Sequence, residues 1–183
     1  MKKAELALTL EDTQWAKTTI THDRKIVRAI VVDEEGYFYF VRVHRDDIFG
    51  TGVFIETAGG GVEEGESTEE AIHRELKEEL GVKVDVLCKI GLVSDYYNQI
   101  HRHNLNHYYL CRIKSFGETE MTPVEQEEFQ LSTLKLTYEE AVAEYKQCSK
   151  KSWGILLKNR ELPILTWAKE WLDQEESTVT GSD

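Results

Sequence analysis

Residues 60–82, GGVEEGESTEEAIHRELKEELGV, carry eight glutamates against one arginine and one lysine. The same segment holds the best punctuated helix of the chain. Ser67 and Glu70 stand in the S-x-x-E order of a capping box, and Gly81 falls where a left-handed residue ends a helix. The spacing predicts a helix over 68–80. At 100° per residue, Ile72, Leu76 and Leu80 fall within about 80° of one another and form an apolar stripe. Glu75, Glu78 and Glu79 form a second stripe along one edge of that face, whereas Glu63, Glu64, Glu69 and Glu70 lie elsewhere and can point to water. A helix of this kind buries its apolar stripe against a layer, so three carboxylates arrive beside a core, partly desolvated. Placed together they repel and raise one another's pKa. Arg74 and Lys77 offer local relief. A hard divalent cation, which takes oxygen ligands, is the better solution. The preceding glycines let backbone approach closely and expose a carbonyl as a further ligand.

The other elements come in runs. Residues 25–33 and 37–45 are β-branched and aromatic strands joined through DEEG, which reads as a hairpin. Residues 53–56 form a short strand before the glycines, and 82–97 a strand or bent strand pair. Further strands are expected at 106–113 and 128–134. Thr137 and Glu140 form a second capping box, opening a helix over 138–147, and Pro163 suits the first turn of a last helix over 164–172. Residues 1–24 have weak periodicity and are expected to be a lead-in; residues 174–183 read as a flexible acidic tail. There is no repeat and no linker. One domain over 25–173 is expected, of α+β type or a layered α/β/α sandwich.

Charge narrows the partners. A net charge of -12 over 183 residues lacks the basic surface that binds polymeric nucleic acid, but leaves a small anionic substrate open if a cation supplies the local charge. Cys88, Cys111 and Cys148 make neither a disulfide framework nor a CxxC pair. The first residues are a poor signal peptide, broken at Glu5 and ended at Glu11, and no apolar stretch approaches spanning length. A soluble, cytoplasmic protein with no membrane partner is expected, and a homodimer is left open.

The order Gly60-x5-Glu66-x7-Arg74-Glu75-Leu76-x-Glu78-Glu79-x-Gly81-Val82 resembles the Nudix box at all nine of its defined positions. The chain looks like a Nudix hydrolase. The resemblance implies an α/β/α sandwich on a central mixed sheet. It also implies hydrolysis of the pyrophosphate linkage of a nucleoside diphosphate joined to another moiety, with Mg2+ or Mn2+. Carried over by position, Glu75, Glu78 and Glu79 ligate metal with the Gly60 carbonyl, Arg74 orients the carboxylates, and Glu66 supports the loop. One departure is Ala58, where many members have proline. The general base is Glu75 or a residue outside the box, for which Glu128 or Glu127 is the expectation, since the acidic run VEQEEF precedes a strand.

Other conspicuous residues carry two readings each. Arg42 and Arg45 end the hairpin strand and are either substrate-phosphate ligands or solvated cations. His101, Arg102 and His103 are read as substrate contacts. With His107 the histidines also admit zinc, although their spacing fits no common zinc pattern. Tyr97 either stacks on a base or fills the core. The absence of a proline near Tyr96 and Tyr97 weakens an ADP-sugar substrate. The competing function is a Nudix-fold regulator that binds a nucleotide without turnover, and the complete set of box carboxylates argues against it. The cysteines lack the context of an isopentenyl diphosphate isomerase, and the acidic charge disfavours RNA decapping.

Overall fold

A computed structural model describes residues 3–180. In chain order the elements are β1 (Leu6–Leu10), β2 (His22–Val32), β3 (Phe38–Asp47), β4 (Gly50–Glu56), β5 (Ala58–Gly61), α1 (Thr68–Leu80), β6 (Val82–Tyr97), β7 (Arg102–Phe116), β8 (Ser132–Leu136), α2 (Tyr138–Cys148) and α3 (Ser152–Thr180). A 3-10 turn at Asn98–Ile100 and a π turn at Val124–Glu128 complete it. The strands form one mixed sheet in the order β1-β6-β7-β2-β3-β4, with β5 on β2 and β8 on β3. β1 runs parallel to β6 and β2 parallel to β7; the other pairs are antiparallel.

The alternation of β2 builds the layers. Val27, Ala29 and Val31 pack with Ala71, Ile72, Leu76 and Leu80 of α1. Ile30 and Val32 face the other way, against Ala141 and Tyr145 of α2 and Trp153, Leu157 and Leu165 of α3. Side chains of period 2 therefore feed two cores at once, and the result is an α/β/α sandwich. Both capping boxes close as expected, Ser67 with Glu70 and Thr137 with Glu140. Gly81 ends α1 at φ 66°, its N–H returned to the Leu76 and Lys77 carbonyls.

Three expectations need correction. The expected lead-in, of which residues 1–2 lie outside the described residues, is built into the sheet: Leu6–Leu10 is an edge strand, and β2 already begins at His22. Pro163 does not open the last helix. It lies inside α3, whose earlier turns bury Trp153, Leu156 and Leu157. Burial there outweighs the local cost of proline. Finally, the acidic end is helical to Thr180, although its side chains from Gln174 to Val179 are exposed; residues 181–183 lie outside the described residues. No helix among the described residues is long and apolar enough to cross a membrane.

Candidate active site

The glutamate stripe sits where α1 meets the β4–β5 junction. Glu75 and Glu79 are each only 6% exposed, and Glu78 stands further out. Glu79 Oε2 accepts from the Gly59 N–H at 2.9 Å. A Cβ added at Gly60 would lie 2.5 Å from Glu75 Oε1, so the box backbone packs directly on that carboxylate and a side chain there would displace it. Arg74 ties the group together. Its Nε and Nη2 fork onto Glu66 at 2.8 and 3.0 Å, Nη1 reaches Glu75 Oε1 at 2.8 Å and Glu78 Oε2 at 3.3 Å, and Nη2 also holds the Gly61 carbonyl at 3.0 Å. Such bidentate, charge-assisted bonds fix geometry as well as charge.

The environment separates these carboxylates. Hydrogen bonds from Arg74, then from the Glu63 N–H, bring Glu66 down to about 2. Burial pushes Glu79 well up against the opposing Gly59 N–H, and neighbouring Glu75 and Glu125 push it further. Burial also raises Glu75, with Arg74 opposing. Glu66 is therefore a fixed anion. Glu75 and Glu79 are strained ones that a cation would relieve.

A cavity of about 440 Å³ opens over this stripe. Glu75, Glu79 and Gly60 line it, together with the expected Arg45, Arg102 and Tyr97. The Arg45 guanidinium lies 4.2 Å from the Trp153 ring centroid and 5.4 Å from that of Phe129, and Asp47 pairs with it at 2.6 Å. Arg102 lies over the Tyr97 ring at 5.4 Å. Tyr97 itself is buried, and its hydroxyl accepts from Arg160.

Other expected residues fall elsewhere. Arg42 is exposed and does not line the cavity, because strand alternation turns it opposite to Val41, Val43 and Arg45. His101 occupies a left-handed turn at φ 55°, with Nδ1 3.1 Å from the Thr19 carbonyl. His103 stacks on Tyr96 and bonds Ser94 and Asp23. Neither reaches the cavity. Glu127 and Glu128 are exposed on the π turn, and Glu125 of the same turn lines the cavity instead. Thr122 and Glu125 exchange bonds, Thr122 N–H to Glu125 Oε2 at 2.6 Å and Glu125 N–H to Thr122 Oγ1 at 3.3 Å. T-x-x-E at 122–125 was the sequence signal for this geometry. Arg24 and Arg28 also line the cavity. The sequence reading missed them because it started the strand at Lys25, which hid the Arg24-x-Ile26-x-Arg28 alternation.

Behind the cavity lies a buried polar network. Glu161 Oε1 accepts from the Thr57 N–H at 2.8 Å, and its Oε2 from the Thr57 and Tyr108 hydroxyls at 2.5 Å each. Arg160 pairs with Asp95 at 3.3 Å and with Glu56 and Glu161 at 3.8 Å. Arg28 reaches Asn106 Oδ1 at 3.2 Å and the Thr57 carbonyl at 3.4 Å. The segment leading to Gly59 and Gly60 is thus clamped by α3 on one side and Glu79 on the other.

A family model, described as the NUDIX domain, matches residues 22–152; the chain belongs to the Nudix family. Solved structures share the fold. The Nitrosomonas europaea NUDIX hydrolase superposes with a TM-score of 0.56 at 18% identity, over 67% of this chain and 78% of that one. A MutT NUDIX hydrolase from Burkholderia pseudomallei gives 0.53 at 19%, over 65% and 86%. An ADP compounds hydrolase gives 0.59 at 18%, over 83% and 74%. No curated protein matches the sequence.

The donors around Glu79 suit a hard divalent cation. Among the described residues, no group of three or more His, Cys, Asp and Glu side chains already stands as a metal cage. The hydrogen bonds described engage one oxygen each of Glu75, Glu78 and Glu79, which leaves the second oxygen of each outside those bonds. An all-oxygen donor set with surplus negative charge fits a hard divalent cation better than a softer metal.

Proposed function

We propose that this protein hydrolyses the pyrophosphate linkage of a nucleoside diphosphate joined to another moiety, in a reaction that requires Mg2+ or Mn2+. The observation that carries it is the strained carboxylate pair Glu75 and Glu79 in the wall of a cavity that also holds arginines. Glu75, Glu78, Glu79 and the Gly60 carbonyl would hold the metal, which when bound neutralises phosphate charge and acidifies a water. Arg74 orients Glu75 and Glu78, and Glu66 fixes Arg74. The attacking water gives its proton to a carboxylate on the cavity wall. Glu125 suits this role better than Glu75, because Arg74 already holds one Glu75 oxygen and the metal would take the other. The aromatic end, Phe49, Phe129 and Trp153 around Arg45, suits a nucleobase.

The test is phosphate release from a panel of nucleoside triphosphates, oxidised dNTPs, ADP-ribose, dinucleoside polyphosphates and nucleotide sugars, with Mg2+ and with excess EDTA. Turnover is expected only with the cation, and hydrolysis in 18O water should label a phosphate product. Turnover that persists in EDTA would overturn the reading. Binding without turnover on every substrate would favour the regulator. Glu125→Gln is expected to lower kcat by about 10²- to 10⁴-fold with KM little changed, and Glu128→Gln to leave both near wild type.

A further inference from the structure

Arg24 and Arg102 stand on adjacent parallel strands. The register pairs Arg102 with His22 and Asn104 with Arg24, so the two arginines are diagonal neighbours on one face, and both line the cavity. Like charges that share one face repel. Among the described residues, neither forms an ion pair within 4 Å. Arg102 Nε is buried without a hydrogen-bond partner. Arg28, two residues beyond Arg24, is different: Glu161 and Glu56 of the buried network offset its charge. Burial lowers the pKa of both Arg24 and Arg102; at Arg24 repulsion from Arg28 adds to it and Glu75 opposes it, and at Arg102 repulsion from Arg24 adds to it. Arg102 is partly buried and Arg24 exposed; a partly buried cation without an ion-pair partner carries a desolvation cost, which an anion in the cavity would offset.

On the proposed function, on which this inference rests, the diphosphate that is cleaved would be neutralised by metal at Glu75 and Glu79, which leaves this pair for another anion. We propose that Arg24 and Arg102 form a separate anion subsite, which takes a phosphate of the substrate additional to the two joined by the cleaved bond. That phosphate is either a further member of the polyphosphate chain or a phosphate ester on one of the linked moieties. Planar guanidinium forks match the oxygens of a phosphate dianion.

Matched substrates test this. Diadenosine tetraphosphate is compared with diadenosine diphosphate, and ADP-ribose 2′-phosphate with ADP-ribose, each pair by kcat/KM. The wild type is expected to favour the additional phosphate in at least one pair by about 10- to 100-fold, one or two charge-assisted bonds' worth. The pair that responds identifies the source. In Arg24→Met and Arg102→Met that ratio should fall toward one, Arg24→Lys and Arg102→Lys should retain part of it, and Arg42→Met, off the cavity, should keep it whole. Equal kcat/KM within both pairs, or a ratio indifferent to both methionine variants, would overturn the subsite. A second arm needs no turnover. Inorganic phosphate in EDTA, against chloride at equal ionic strength, should raise the wild-type melting temperature and not that of either methionine variant. If the wild type hydrolyses nothing, this arm decides, and an unshifted wild type then overturns the subsite. Phosphate stabilisation without hydrolysis would instead mean that the hydrolase reading alone had failed.

Discussion

Glu79 is the residue whose burden depends on what it binds. It is buried, its neighbours are anionic, and the Gly59 N–H is its described partner. A glutamine keeps an oxygen for that N–H and sheds the charge. Glu79→Gln is therefore expected to leave the metal-free protein as stable as wild type or more so, while cutting activity by orders of magnitude. Mg2+ at 100 times its Kd stabilises a folded state by about 2.7 kcal/mol, and the variant should lose most of that shift in melts with graded Mg2+. A strongly destabilised variant with a full Mg2+ response would mean the carboxylate is a structural partner only. Glu66 gives the opposite pH signature. Its folded pKa of about 2 lies below the ordinary 4.5, so the unfolded chain takes up the proton first as pH falls. Its stabilisation is complete above about 4.5 and disappears between 4.5 and 2. Glu66→Gln should melt below wild type at pH 7, and the gap should narrow steadily as pH falls from 4.5 toward 2. A gap independent of pH would rule out the charge as its cause. Both positions were legible in the sequence because the box fixes residue types at fixed spacings in and just before one helix. The alternatives at His101 and His103 were not decidable there, since a turn and a stacking partner depend on the fold.

At the scale of elements, helix α1 was readable in full, whereas of helix α3 only the part after Pro163 was. α1 announces itself through its cap, stripe and glycine. α3 carries Arg160 and Glu161, both wholly buried, in a segment where two charges and Pro163 suggest a break rather than a core helix. Charged residues are seldom fully buried unless paired, so their partners had to be seen first. Those partners, Thr57, Tyr108, Asp95 and Glu56, come from three other strands and the β4–β5 junction. Glu161→Ala would leave Thr57 without its clamp and Arg160 and Arg28 undercompensated. It is expected to cost about 3–5 kcal/mol, the usual consequence of breaking a buried pair, measured by urea unfolding. Loss of less than about 1 kcal/mol would mean that the network contributes little to folding.

At the scale of the whole molecule, the sheet closes through its first strand. Leu6, Leu8 and Leu10 alternate, but nothing local marks their partner, which is β6 some eighty residues later. A parallel edge pair has no connecting turn to give it away. The contact is nonetheless specific. Leu6 pairs with Gly91, and a Cβ at Gly91 would lie 2.0 Å from the Leu6 carbonyl oxygen. Trp167 Nε1 of α3 donates to the Ala4 carbonyl at 2.8 Å, so the strand is held from the sheet and from the helix layer. Two perturbations should then act on one interface. Removing residues 1–10 exposes apolar surface under three half-buried leucines, on the order of 3–5 kcal/mol together. Gly91→Ala should displace β1 and cost a comparable amount in the full chain. In the shortened chain the same substitution meets no Leu6 carbonyl and should cost little. Urea unfolding of the four proteins forms a double-mutant cycle, and strong coupling is expected because both changes remove the same contact. Additive costs would mean that Gly91 is needed for the strand β6 itself. A shortened chain as stable as the full one would mean that β1 lies on the sheet without supporting it.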